Sequence, residues 1–226
     1  DATYKNIGYA WATQFDPNPP YISELNNYTG SYRRTFELPK DWKGKDVYFH
    51  VGSATSNLTL WVNGKYVGYS EDSKVAAEFN ISKYLKPGKN LIAMQVRWCD
   101  GSYFEDQDFW RFTGIAREVY LYARPKLHAA DIRLNAALEN NYQDGVLNYK
   151  VSLKGGKTDV AITLCDKDGK QIAQATGAQG VIKVPKVNAW TAETPYLYKA
   201  YITLKNKQGA AEVIPQKVGF RNVEIK

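Results

Sequence analysis

Sulfur and imidazole are scarce in this chain of 226 residues, which has two Cys and two His. Cys99 and Cys165 fall in different halves, which argues against a disulfide framework, and no C-x-x-C spacing suggests a metal knuckle. No apolar run approaches the length of a membrane span, so no membrane partner is expected. Residues 1–20 lack the apolar core of a secretion signal. The chain opens at Asp1-Ala2-Thr3-Tyr4 without a Met, so a piece of a longer protein is expected and the compartment, cytoplasmic or periplasmic, stays open. G-x-S-x-G, H-E-x-x-H, G-x-G-x-x-G and phosphate-loop motifs are all missing, and no Cys/His pair stands out as a nucleophile with its base. Long amphipathic helical patterns are scarce too.

The formal net charge of +7 invites a nucleic-acid reading. Residues 1–125 carry 15 Lys and Arg against 14 Asp and Glu, however, and residues 126–226 carry 15 against 9. The excess is thus confined to the second half. Its lysines are scattered singly, with no Arg-rich run, as on solvated strand faces and edges. No nucleic-acid partner is expected.

What the chain does have is aromatic residues (14%) and alternation. Val47, Phe49 and Val51 share one face. Leu58, Leu60 and Val62 repeat the pattern, as do Ile92, Met94, Val96 and Trp98, then Val119, Leu121 and Ala123. Beyond Pro125 it resumes at Leu147, Tyr149, Val151 and Leu153, at Val160, Ile162 and Leu164, and from Tyr196 through Leu204. Period-two runs separated by turn signals indicate antiparallel sheets. Asn63-Gly64 is a hairpin signal, and Pro87-Gly88, Asp144-Gly145, Asp168-Gly169 and Gln208-Gly209 read as bends. A short helical turn fits Ile81–Leu85, and residues 1–30 read as irregular coil. Pro125 interrupts strand pairing where aromatic density and charge balance both change. The expected fold is all-β, with two domains, 1–124 and 125–226. Roughly seven short strands in the second suggest an immunoglobulin-like sandwich.

One stretch stands out for chemistry: Arg97–Ile115, RWCDGSYFEDQDFWRFTGI. Glu105, Asp106, Gln107 and Asp108 are walled by Tyr103, Phe104, Phe109 and Trp110. Carboxylates accept hydrogen bonds from hydroxyls and aromatic faces cover apolar C–H patches, a combination suited to a sugar ring. Clustered acids also need a cation or an Arg beside them, and Arg97, Arg111 and Arg117 are near in sequence. A solvated loop with core aromatics explains the same letters, and Asp100-Gly101 reads as a turn. The Gly52–Asn57 turn offers hydroxyl and amide groups to a ligand, or is an ordinary polar turn. His50 and His128 read as ordinary sheet or linker residues. Glycoside hydrolysis requires two carboxylates across the bond, and no opposed pair is evident. A sugar-binding surface fits the residues better than a complete active site.

Three motifs in one register carry a resemblance. Ser102–Tyr122 (SYFEDQDFWRFTGIAREVYLY), Asn18–Trp42 and Leu60–Lys74 closely resemble the sugar-binding domain of glycoside hydrolase family 2 β-galactosidases. Val187–Leu204 and Val218–Ile225 resemble the first immunoglobulin-like domain of that family. The resemblance implies a jelly-roll (galactose-binding-like) sandwich followed by an immunoglobulin-like sandwich. It also implies a retaining β-galactosidase whose two catalytic glutamates sit in an (α/β)₈ barrel outside this chain, leaving the chain itself inactive and the parent a homo-oligomer. Asp108 then corresponds to a residue that contacts galactose hydroxyls and ligates Na⁺, Asp100 to a ligand of a structural Mg²⁺, and Asn57 to a further galactose contact, with Thr55 or Ser56 as alternatives for that position. An autonomous carbohydrate-binding module and a structural interaction protein are rival readings. β-Glucuronidases and β-mannosidases share the domain order, but the DQDFWRFTGI wording favours the galactosidases.

Overall fold

The computed structural model describes residues 3–5, 18–25, 27–105, 111–206 and 209–224. It divides into two compact units, Asp1–Pro125 and Lys126–Lys226, each an antiparallel β-sandwich.

The described residues of the first unit form ten strands: β1 (Thr3–Lys5), β2 (Gly30–Glu37), β3 (Asp46–Val51), β4 (Ala54–Thr55), β5 (Asn57–Val62), β6 (Lys65–Ser70), β7 (Ala77–Asn80), β8 (Lys89–Arg97), β9 (Arg111–Ile115) and β10 (Val119–Arg124). One sheet runs β2-β8-β5-β6, a second β10-β3-β7, and a small third β1-β9-β4. Alternation decides which side chains go inward. Val47, Phe49, Val51, Leu58, Leu60, Val62, Ile92, Met94 and Val96 form the core, and Leu121 and Ala123 pack against it. Val119, the first residue of β10, leaves the pattern at 37% exposed. Asn63 and Gly64 both take positive φ (51° and 77°) in the β5–β6 turn, the geometry that matches strand twist in a two-residue hairpin. The helical turn near Ile81 is a 3-10 turn, Ser82–Tyr84.

The second unit has seven strands: β11 (His128–Glu139), β12 (Asp144–Lys154), β13 (Asp159–Cys165), β14 (Gln171–Thr176), β15 (Gln179–Val184), β16 (Tyr198–Asn206) and β17 (Gly209–Val218). They form sheets β11-β12-β15 and β14-β13-β16-β17. Leu147, Tyr149, Val151, Ile162, Leu164, Ala200, Ile202, Leu204 and Phe220 meet between them.

Two expectations fail locally. Thr3–Lys5 is a strand paired with β9 rather than coil. Asp144-Gly145 opens β12 rather than forming a bend, and the turn lies just before it, where Asn140, Asn141 and Tyr142 take positive φ. Asp100-Gly101 forms the expected turn, closed by the Ser102 N–H donating to the Cys99 carbonyl at 2.8 Å, and it leads into a four-residue helix, α1 (Gly101–Phe104). Cys99 and Cys165 are both free.

Candidate functional site

At one end of the first unit, several polar side chains go inward together. Of the eight buried polar or charged residues among those described, Ser53, Ser56, Asn57, Ser73 and Ser102 collect there. Burial of such groups costs free energy unless each finds a partner. The partners lace three loops together. Ser53 Oγ donates to the Ser73 carbonyl at 2.7 Å. The Ser56 and Ser102 hydroxyls bond to each other, and Ser102 Oγ also accepts the Cys99 N–H at 2.9 Å. Glu105, at the end of α1, accepts the Ser73 N–H at 3.2 Å through one oxygen and the Ser73 hydroxyl through the other. Segments 53–57, 71–73 and 99–105 are thereby fixed to one another.

Asn57, the first residue of β5, lies within this scaffold. Its Nδ2 donates to Glu71 Oε1 at 3.2 Å, and its Oδ1 accepts from Thr59 Oγ1 at 3.0 Å. An amide has two donors and two lone pairs, so one of each stays uncommitted among the described residues. At 6% exposed, it offers a ligand only an edge. Of the alternatives, Ser56 is sealed (1% exposed) and spent on Ser102, whereas Thr55 lies in β4 opposite Gly114. Asp100 accepts the Ile22 N–H at 3.1 Å through Oδ1.

Asp106, Asp108, Phe109 and Trp110 lie outside the described residues. Their flanks do not: Glu105 is bonded to Ser73, and β9 pairs with β4 at Ile115↔Ala54 and Gly114↔Thr55. Both flanks of this stretch are therefore tied to the loops that hold Asn57.

Hard cations take several oxygen donors, six or more for Ca²⁺ and near-octahedral sets for Mg²⁺. Among the described residues, no group of three His, Cys, Asp or Glu side chains could hold a metal. Asp100 is not joined by two such side chains among the described residues.

Sequence reasoning missed Glu71, Ser73 and Ser102 altogether. It also grouped Glu105 with the ligand-facing acids, whereas its carboxylate clamps a loop. The SED run at 70–72 was the available signal, but no spacing rule ties it to Asn57 fourteen residues earlier.

The sequence matches the family profiles Glycosyl hydrolases family 2, sugar binding domain, over residues 1–125 and Glycosyl hydrolases family 2 over residues 118–221. It is 38% identical over 244 aligned positions to a β-galactosidase of Priestia megaterium, covering 99% of this chain and 23% of that protein. It is also 38% identical to one from Clostridium acetobutylicum, at 99% and 26% coverage. The chain thus spans about a quarter of the length of these relatives. The fold resembles that of a Ruminococcus gnavus β-glucuronidase in complex with D-glucuronic acid, with a TM-score of 0.77 at 23% identity over 92% of this chain and 41% of that one. Two consecutive profiles covering nearly every residue make this chain a member of glycosyl hydrolase family 2.

Proposed function

We propose that this chain is the non-catalytic part of a retaining β-galactosidase, forming one wall of a pocket that a barrel completes. The observation that carries the reading is the laced end of the first sandwich. It holds Asn57 and both flanks of the Asp108 stretch to a common set of hydrogen bonds, which is the rigid support a ligand-contacting loop requires. Alignment with β-galactosidases over 99% of the chain points to galactosides as the substrate. In this reading Asp108 accepts hydrogen bonds from galactose hydroxyls and ligates sodium, for which an oxygen donor set is chemically apt. Asn57 adds a contact through the amide edge that its own partners leave open.

The test uses the barrel-containing enzyme. Asp108→Asn keeps the volume and removes the charge, so it should weaken transition-state binding by about 1.5–3 kcal/mol, the range for a hydrogen bond to a charged group. It should also flatten the dependence of kcat/KM on sodium concentration, with the thermal midpoint unchanged. Parental kinetics across all sodium concentrations would defeat the assignment. An autonomous sugar-binding module would instead bind galactosides tightly without a barrel, which calorimetry on the chain alone would reveal.

A further inference from the structure

The outer face of the β10-β3-β7 sheet carries a second set of polar and aromatic groups that the reading above does not use. Val47, Phe49 and Val51 point into the core, so Tyr48 and His50 point out. Register sets Tyr120 opposite His50 and His50 opposite Glu78, with Tyr122 opposite Tyr48 one row away. The rings line up accordingly: His50 stacks on Tyr120 at 4.5 Å and 18°, and Tyr48 on Tyr122 at 5.2 Å and 15°. His50 Nδ1 donates to Glu78 at 2.8 Å. This fixes the imidazole and leaves Nε2 without a partner among the described residues.

At the end of this row is a hollow of about 460 Å³ lined by His50, Gly52, Ala76, Arg117, Glu118 and Tyr120. Gly52 lets the chain close up behind it. A Cβ there would come within 2.9 Å of Arg117 Cβ and 3.2 Å of the Glu118 carbonyl, and the Gly52 N–H donates to that carbonyl at 2.9 Å. Arg117 is anchored by one bond, Nη1 to the Lys74 carbonyl at 3.0 Å. A guanidinium has five N–H donors, so most remain to be used. The Glu118 carboxylate has no partner among the described residues, and Tyr120 is 44% exposed.

We infer that this hollow is a second saccharide site, taking a neutral hexopyranose unit apart from the substrate contacts proposed above. Its chemistry selects that class. Tyr120 offers an aromatic surface for the C–H patch of a pyranose. Arg117 N–H groups, the Glu118 carboxylate and His50 Nε2 offer both donors and acceptors for vicinal hydroxyls. Arg117 and Glu118 cancel in charge, and Glu78 lies beside His50, so a phosphate or uronate gains nothing there. The lining combines apolar surface, from Tyr120 and Ala76 among others, with these polar groups, the mixture that a ring with a C–H face and a rim of hydroxyls requires. The hollow is shallow and buries little of a ligand, so binding is expected to be weak. The inference stands whether or not the galactose contacts of Asn57 and Asp108 hold.

The test is a titration of the whole chain with methyl β-D-galactopyranoside and separately with cellobiose, following backbone amide resonances. Saturating shifts are expected at residues 50–52, 76–78 and 117–120 with either sugar, and weaker ones with D-glucuronate. Ala76→Trp fills the hollow from an exposed position and should abolish them. Tyr120→Ala should weaken them several-fold, and Ala76→Ser should preserve them. No saturating shift around the hollow would overturn the inference, as would shifts that survive Ala76→Trp or a stronger response to inorganic phosphate. Shifts confined to residues 56–57, 71–73 and 99–105 would support the galactose reading and overturn this one.

Discussion

At the scale of single residues, Glu78 sets the electrostatics of the outer sheet face. Burial pushes the Tyr122 phenol up to about 12 from an ordinary 10.0, and the Glu78 carboxylate, which accepts its hydrogen bond, adds to the effect. A raised folded-state value means that between pH 10 and 12 the folded chain keeps a proton that the unfolded chain has lost. Stability from this group is complete below about pH 10 and falls as pH rises through 12. Tyrosinate absorbance should therefore show a phenol ionising near pH 12 that disappears in Tyr122→Phe, and the variant should lose stability less steeply over that window. A difference titration centred at the ordinary value would contradict the contact. Such pairs explain why single-residue roles were hard to read in the sequence. Acid and aromatic letters near Asp108 suggested a sugar surface, but nothing in them separates Glu105, which clamps Ser73, from a ligand-facing acid. The distinction depends on a partner 32 positions away.

Elements were more legible, because period-two alternation is a direct consequence of strand geometry. The inward sets of β3, β5, β8, β12, β13 and β16 follow their sequence pattern. Bends were less so, because Gly has two uses. Asp144-Gly145 resembles a turn pair, yet Gly145 is absent from the positive-φ residues. A Cβ there would meet the ring of buried Phe220 at 2.7 Å, so the glycine serves close packing of β12 against that ring. Asp144, for its part, accepts the Lys186 N–H at 2.9 Å and an Asn140 side-chain donor at 3.0 Å, and these bonds hold its carboxyl below the usual carboxylate range. If packing is the reason, Gly145→Ala should destabilise the second unit by about 1–3 kcal/mol, the usual cost of forcing an extra carbon into a filled core. Phe220→Leu should recover part of that loss when combined with it, although it costs stability alone. Chemical denaturation of the four members of this cycle measures the coupling. Additive effects would remove the Phe220 ring as the reason for a glycine at this place in β12.

For the whole molecule, the question is whether two sandwiches without a barrel can cleave a glycosidic bond. Retention by two carboxylates requires a nucleophile and an acid/base about 5–5.5 Å apart, both facing the sugar. At the laced end, Glu71 is engaged by Asn57 and Glu105 by Ser73. Each is an acceptor within the scaffold, and moving either toward a substrate would leave a buried amide or hydroxyl without its partner. Under the function proposed above, the site end supplies orientation: Asp108 and Asn57 would hold substrate hydroxyls while groups from another domain carry out the chemistry. Purified chain should accordingly give no hydrolysis of a chromogenic β-galactoside above a mock preparation. Turnover that co-purifies with the chain and vanishes in Glu71→Gln or Glu105→Gln would show that these carboxylates leave their partners to act on substrate. The division of labour proposed for the family would then fail for this member, because a scaffold acid cannot hold Ser73 or Asn57 and protonate a leaving group at once.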